Sequence, residues 1–150
     1  MAPVKSLPKA RRTPKTSMFR ELFHTELASE ADVIALSREG VTKRSLLALG
    51  ERYGFSPERI SRMLPVTART IQRYKPLQKF NPSVSEHIIQ LARLMIKGDE
   101  VFDSREQFLR WFAAPNAALG GKAPNELVTL HTGVQLVMDE LIRIDHGVFA

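Results

Sequence analysis

Apolar residues recur along this chain at steps of three and four, and strict two-residue alternation is scarce, so the pattern predicts helices throughout. Caps mark where those helices start. Ser29 with Asp32 forms a capping box ahead of Val33, Ile34 and Leu36, which supply apolar contacts, and Gly40 ends that helix. Thr42 caps the next helix, which carries Leu46, Leu47 and Leu49 toward Gly54. Ser56 before Pro57 is a strong third start, because the hydroxyl accepts a free amide and proline fits the first turn. Thr67 caps a short fourth helix that closes before Pro76.

In the second half, the pairs Ser83–Glu86, Ser104–Gln107 and Thr132–Gln135 predict helices over 83–97, 105–113 and 133–146. Gly98 and Gly147 are the expected ends of the first and last. A glycine-bearing loop runs from Ala114 to Ala123, and Pro124 opens a short helical turn. Prolines 76 and 82 mark a seam between the halves. On the helix over 83–97, Val84, Ile88, Leu91 and Met95 share one face, while Ile89, Ala92 and Ile96 share its neighbour. A helix apolar over so much of its circumference is buried on more than one side. It is either the central helix of its own domain or an interface with another chain. Phe108, Leu109, Trp111 and Phe112 form an aromatic cluster assigned to packing. The fold class is therefore all-α: a helix-turn-helix bundle over 29–82, fused to a compact helical module over 83–150.

Composition narrows the function. A chain of 150 residues with 43% hydrophobic content supports one domain or two very small ones. The absence of cysteine excludes disulfides and thiolate metal sites, and suits the cytoplasm. No apolar run reaches the roughly 20 residues of a membrane helix, so no membrane partner is expected. The first twenty residues hold Lys5, Lys9, Arg11, Arg12, Lys15 and Arg20, no acid and three prolines, and lack the apolar stretch of a secretory signal. They predict a disordered basic arm over 1–28. Charge is uneven. Residues 1–82 carry 16 Lys and Arg against 7 Asp and Glu, whereas 83–150 carry 6 against 9, within a net charge of +6. Either the two halves face different partners, the basic one a polyanion, or solvated charges merely segregate.

The segment Ser56–Lys75 favours a polyanion partner over the alternative, a solvated arginine-rich helix face in a fold that never meets DNA. Ile60 and Leu64 lie one turn apart, Val66 sits in a turn, and Ile71 and Tyr74 follow at a spacing of three, with Ser61 small where two helices would cross. That order is the apolar skeleton of a helix-turn-helix. Pro65 occupies the turn, where proline cannot take a positive φ, so the turn must have its own shape. With Ile71 and Tyr74 inward, Arg69 and Arg73 share the opposite face, bordered by Thr70 and Gln72. Arginine can grip guanine bidentately and glutamine can pair with adenine, so this face carries candidate major-groove readers. Arg59, Arg62, Lys75 and Lys79 are candidate phosphate contacts that set orientation, and Thr67 joins them at the helix start.

Nothing in the chain reads as an enzyme. His24, His87, His131 and His146 are scattered without ligand spacing, the acids are surface-like, with Asp99–Glu100 and Asp139–Glu140 adjacent and so on different helix faces, and no cofactor or metal is expected. His146 beside Asp145 suits a helix end.

From Trp111 onward the run WFAAPNAALGGKAPNEL, followed by TGVQLVMDELIRIDHG, resembles the toxin-binding domain of Xre/MbcA/ParS-type antitoxins. The matching positions are Pro115, Asn116, Leu119, Gly120, Pro124, Leu127, Gly133, Val137, Leu141, Ile144 and Gly147. The resemblance is specific over 111–147 and diffuse back to residue 42. It implies a dimeric antitoxin that represses its own operon and neutralises a RES-domain toxin acting on NAD, with the NAD site on the toxin. By the same resemblance, toxin contacts fall on Leu119 and Gly120, on Leu141, Arg143, Ile144, Asp145, His146 and Gly147, and on the tail residues Val148 and Phe149. Phe149 either meets the toxin or folds back on its own core. Gly133 stands where neighbouring backbone would approach closely. The competing expectation is a stand-alone dimeric helix-turn-helix regulator whose second half only dimerises.

Overall fold

The computed structural model describes residues 15–147, with side chains from Met18 onward. Helices make up its regular structure: α1 (Lys15–Phe23), α2 (Glu30–Glu39), α3 (Lys43–Arg52), α4 (Pro57–Ser61), α5 (Ala68–Gln72), α6 (Pro82–Val101), α7 (Arg105–Ala113), a 3-10 turn (Ala117–Leu119), α8 (Pro124–Leu127) and α9 (His131–Asp145). Only isolated β-bridges, Thr42 to Lys79 and Asn116 to Lys122, accompany them among the described residues. The all-α expectation holds.

Most helices start where their caps stand. Ser29 Oγ accepts from the Asp32 amide, and Asp32 accepts from the amides of Ala28 and Ser29 at 2.8 and 3.0 Å. Thr42, Ser56 and Thr67 cap α3, α4 and α5 through the amides of Ser45, Arg59 and Thr70. Each such cap contributes about 1 kcal/mol. On α2 the inward residues are Val33 and Leu36, whereas Ile34 is 54% exposed and adds nothing to the core.

Four expectations need correction. The basic arm expected over 1–28 is helical from Lys15 to Phe23, and Met18, Phe19, Leu22 and Phe23 are buried. The prolines all precede this stretch, and its apolar residues recur at one helical turn, so a short helix forms once it has a surface to bury. Ser45 Oγ of α3 donates to the Leu22 carbonyl at 2.6 Å, and Arg52 pairs with Glu21. Residues 1–14 lie outside the described residues.

Secondly, α6 is capped by Asn81, not Ser83: Asn81 Oδ1 accepts from the Val84 amide at 2.9 Å. Pro82 fits the first helical position, where its missing amide costs nothing, and so moves the start back. Thirdly, Gly98 does not end this helix, which continues to Val101. A Cβ there would lie 2.2 Å from the Phe108 ring, so Gly98 is small for packing. Fourthly, Thr132 does not cap α9. The N-cap is Leu130, without a side-chain bond, and Gly133 already lies inside the helix against the Leu127 carbonyl oxygen, 1.7 Å from where a Cβ would sit.

The chain divides into two compact units between Ala92 and Arg93, inside α6, rather than at the prolines. In the first unit Leu46, Leu49, Tyr53, Ile60, Ile71, Ile88 and Ile89 are buried. In the second, Met95, Phe108, Phe112, Val128, Val134, Val137 and Leu141 are buried. Both apolar faces of α6 are buried within this chain, so α6 is a central helix rather than an interface. Trp111 lies 5.5 Å from Phe102 and 6.4 Å from Phe108, ring to ring, in the packing cluster the sequence assigns.

Candidate functional site

Two surfaces carry the candidate residues, one in each unit. In the first, α4 and α5 flank a turn built without a left-handed residue. The helix α4 tightens at its end, as the amides of Met63 and Leu64 bond the carbonyls of Ile60 and Ser61 at 3.1 and 3.2 Å. The chain then bends through Leu64, Pro65 and Val66, with Leu64 buried. Ser61 is buried and its hydroxyl donates to the Pro57 carbonyl at 2.6 Å. His87 of α6 holds the turn from behind, its Nε2 2.9 Å from the Met63 carbonyl oxygen. The turn therefore has the distinct shape that Pro65 requires.

The helix α5 is anchored by little. Ile71 is its one buried residue, and Tyr74 beyond it stacks on Phe80 at 4.7 Å. Arg69, Thr70, Gln72 and Arg73 are all exposed, as are Thr67, Arg59, Arg62, Lys75 and Lys79. Among the described residues Arg69 and Arg73 join no ion pair. Thr67 and Thr70 share a hydroxyl hydrogen bond at 2.8 Å, Arg59 lies over the Phe55 ring at 5.0 Å, and Lys79 sits 3.8 Å from Glu39. The geometry thus brings five polar residues, Thr67, Arg69, Thr70, Gln72 and Arg73, onto one short solvent-facing helix and its two cap positions. The flanking cations lie on the preceding helix and the following loop.

The second surface differs from expectation. Leu141 is fully buried in α9, so it is core and not a contact residue: it lies in phase with Val134 and Val137, which face inward. Arg143 is exposed but engaged, its Nε 2.9 Å from Glu140, which is itself nearly buried. The hydrogen bond from Arg143 to Glu140, and then their charge attraction, raise the guanidinium above its usual value, so it stays charged at all ordinary pH. Asp145 accepts from Lys97 Nζ at 3.0 Å and so ties the end of α9 to α6. Leu119 and Ile144 are half-exposed, and Gly120, His146 and Gly147 are exposed. Gly120 and Gly147 take φ of 70° and 67°, closing a loop and ending a helix respectively. Val148 and Phe149 lie outside the described residues.

Sequence reasoning missed the apolar part of this surface. Leu130, Leu136 and Ile142 are 66%, 50% and 38% exposed. The signal was present, because Leu136 and Ile142 fall out of phase with the Val134–Val137–Leu141 stripe. Among the described residues no group of His, Asp or Glu is arranged to hold a metal ion. No described helix is long and apolar enough to cross a membrane.

Residues 32–93 match the antitoxin Xre-like helix-turn-helix domain, and residues 97–147 match the antitoxin Xre/MbcA/ParS C-terminal toxin-binding domain. An antitoxin Xre from Yersinia enterocolitica is 29% identical over 93 residues, a match that spans 61% of this chain and 63% of that protein. A chain of the crystal structure of the M. tuberculosis MbcT-MbcA toxin-antitoxin complex shares the fold, with a TM-score of 0.55 at 23% identity over 72% of this chain and 96% of that one. The boundary between the two domain matches falls within the sequence of α6, between residues 93 and 97, next to the division between the two compact units. With both domain types present in that order, the chain belongs to the Xre/MbcA/ParS family of antitoxins.

Proposed function

We propose that this chain neutralises a RES-domain toxin acting on NAD and represses its own operon by binding operator DNA through α4, the turn and α5. The observation that carries this reading is a pairing: a helix-turn-helix whose α5 offers uncommitted arginines stands before a toxin-binding domain. Arg69, Gln72 and Arg73 fit base edges in a major groove, and the surrounding cations and Thr67 fit phosphates. Toxin contacts belong to the exposed part of the second unit: Leu119, Gly120, Ile144, His146 and Gly147, together with Leu130, Leu136 and Ile142. Exposed leucine and isoleucine suit a surface that another protein covers. Helix-turn-helix proteins read paired half-sites as dimers, so the working form is a homodimer. The chain acts as a binding protein in the cytoplasm, where its operator lies, and any NAD chemistry belongs to the toxin.

A growth assay tests this. A RES-domain protein encoded beside this chain, expressed alone, is expected to arrest growth, and co-expression of this chain to restore it. Arrest that this chain leaves untouched would contradict the antitoxin reading and favour a stand-alone regulator.

A further inference from the structure

Lys43 opens α3, the least favourable place on that helix for a positive charge, since the helix dipole presents its positive end there. No acid in the first turn offsets it. The side chain instead reaches across to α5. Its ammonium donates to the carbonyl of Gln72 at 3.3 Å and of Tyr74 at 2.9 Å. Those carbonyls stand at the end of α5, where the dipole presents its negative end and a cation is favoured. The charge that is misplaced on its own helix is thus well placed on another.

The surroundings give this contact weight. A cavity of about 120 Å³ lies between α3, α4 and α5, bordered by Lys43, Ser61 and Ile71, so apolar packing on this side of α5 is incomplete. With Ile71 as its one buried residue, α5 has few other constraints on its tilt. Backbone bonds reinforce the same seam: the amides of Lys43 and Arg44 bond the carbonyls of Gln78 and Pro76 at 3.1 and 2.8 Å. Lys43 is half-buried and directed into the protein, unlike the exposed Arg69 and Arg73.

We infer that Lys43 is a positioning residue, whose ammonium fixes the end of α5 so that Arg69, Gln72 and Arg73 are aimed at base edges, without itself touching DNA. This rests on the reading that α5 enters the groove. The test measures binding of the full-length chain, by fluorescence anisotropy over a salt series. The probes are a duplex from immediately upstream of its own coding region and a shuffled duplex of equal composition. Lys43→Met keeps the stem and removes the charge. It should cut affinity for the upstream duplex by about tenfold, and leave both the shuffled-duplex affinity and the slope of log K against log salt unchanged. Lys43→Arg, which keeps a cation, should restore most of the preference.

Equal losses on both duplexes, with the salt slope reduced by about one, would make Lys43 a phosphate contact and overturn the inference. Lys43→Met binding like the unaltered chain would also overturn it, while leaving the DNA-binding reading intact. An unaltered chain with no preference for the upstream duplex would sink that reading and the inference together. If thermal melting shows Lys43→Met to be unfolded at the assay temperature, Lys43→Arg decides alone: a folded variant without preference overturns the inference, and one with preference supports it.

Discussion

The helix-turn-helix surface and the toxin-binding surface present their candidate residues in opposite ways. On α5 the arginines are exposed and free of internal ion pairs, and the fold spends a single buried residue, Ile71, to hold them out. On α9 the residues singled out by family resemblance are largely used by the fold itself. Leu141 fills the core, Arg143 serves Glu140, Asp145 serves Lys97, and Gly133 admits the Leu127 carbonyl. Here the family motif marks residues the domain needs to fold, and the contact surface we propose lies beside them, on the exposed Leu130, Leu136 and Ile142.

The sharpest test of that contrast pairs Leu141 with Leu136 on the same helix. Leu141→Ala should destabilise the second unit by about 2–5 kcal/mol, since it empties a fully buried site. Leu136→Ala should change stability by no more than about 0.5 kcal/mol, yet weaken toxin capture. Denaturant melts and pull-down with the toxin distinguish these outcomes, and equal stability losses would break the contrast. Gly133→Ala comes next. Its Cβ would overlap the Leu127 carbonyl oxygen, and overpacking of this kind costs about 3 kcal/mol, read as a lowered melting temperature.

On the other surface the effects should appear in binding rather than folding. Arg73→Ala should cost about 1–3 kcal/mol on the upstream duplex while leaving the thermal melt in place. Equal loss on shuffled DNA would make Arg73 a phosphate contact. The smallest effect belongs to Ser56→Ala, which removes the cap on the Arg59 amide and should cost about 1 kcal/mol of stability by chemical denaturation.

Much of this architecture was legible because caps and apolar spacing are local. Ser29, Thr42, Ser56, Thr67 and Ser104 all cap where the sequence places them. What was not legible depends on tertiary contact. The helix α1 needs a partner surface before Met18, Phe19, Leu22 and Phe23 favour it, so its basic, proline-marked surroundings mislead. Gly98 looks like a stop signal until the Phe108 ring occupies the space beside it. Two good cap pairs, Ser83–Glu86 and Thr132–Gln135, lose to Pro82 and to the Gly133 approach, each of which sets a helix start earlier. The candidate basic readers can be picked out by polarity alone, whereas the candidate apolar contact surface emerges only once the phase of α9 is known.

In the function proposed here, DNA binding and toxin neutralisation use separate surfaces. The decisive experiment uses cells expressing the proposed RES-domain toxin and carrying a reporter under the upstream sequence, with the double variant Arg69→Ala, Arg73→Ala supplied in place of the unaltered chain. Growth should recover fully while the reporter is released from repression. Growth arrest by a stably accumulated double variant, or repression that survives it, would contradict the division of labour between α5 and the second unit.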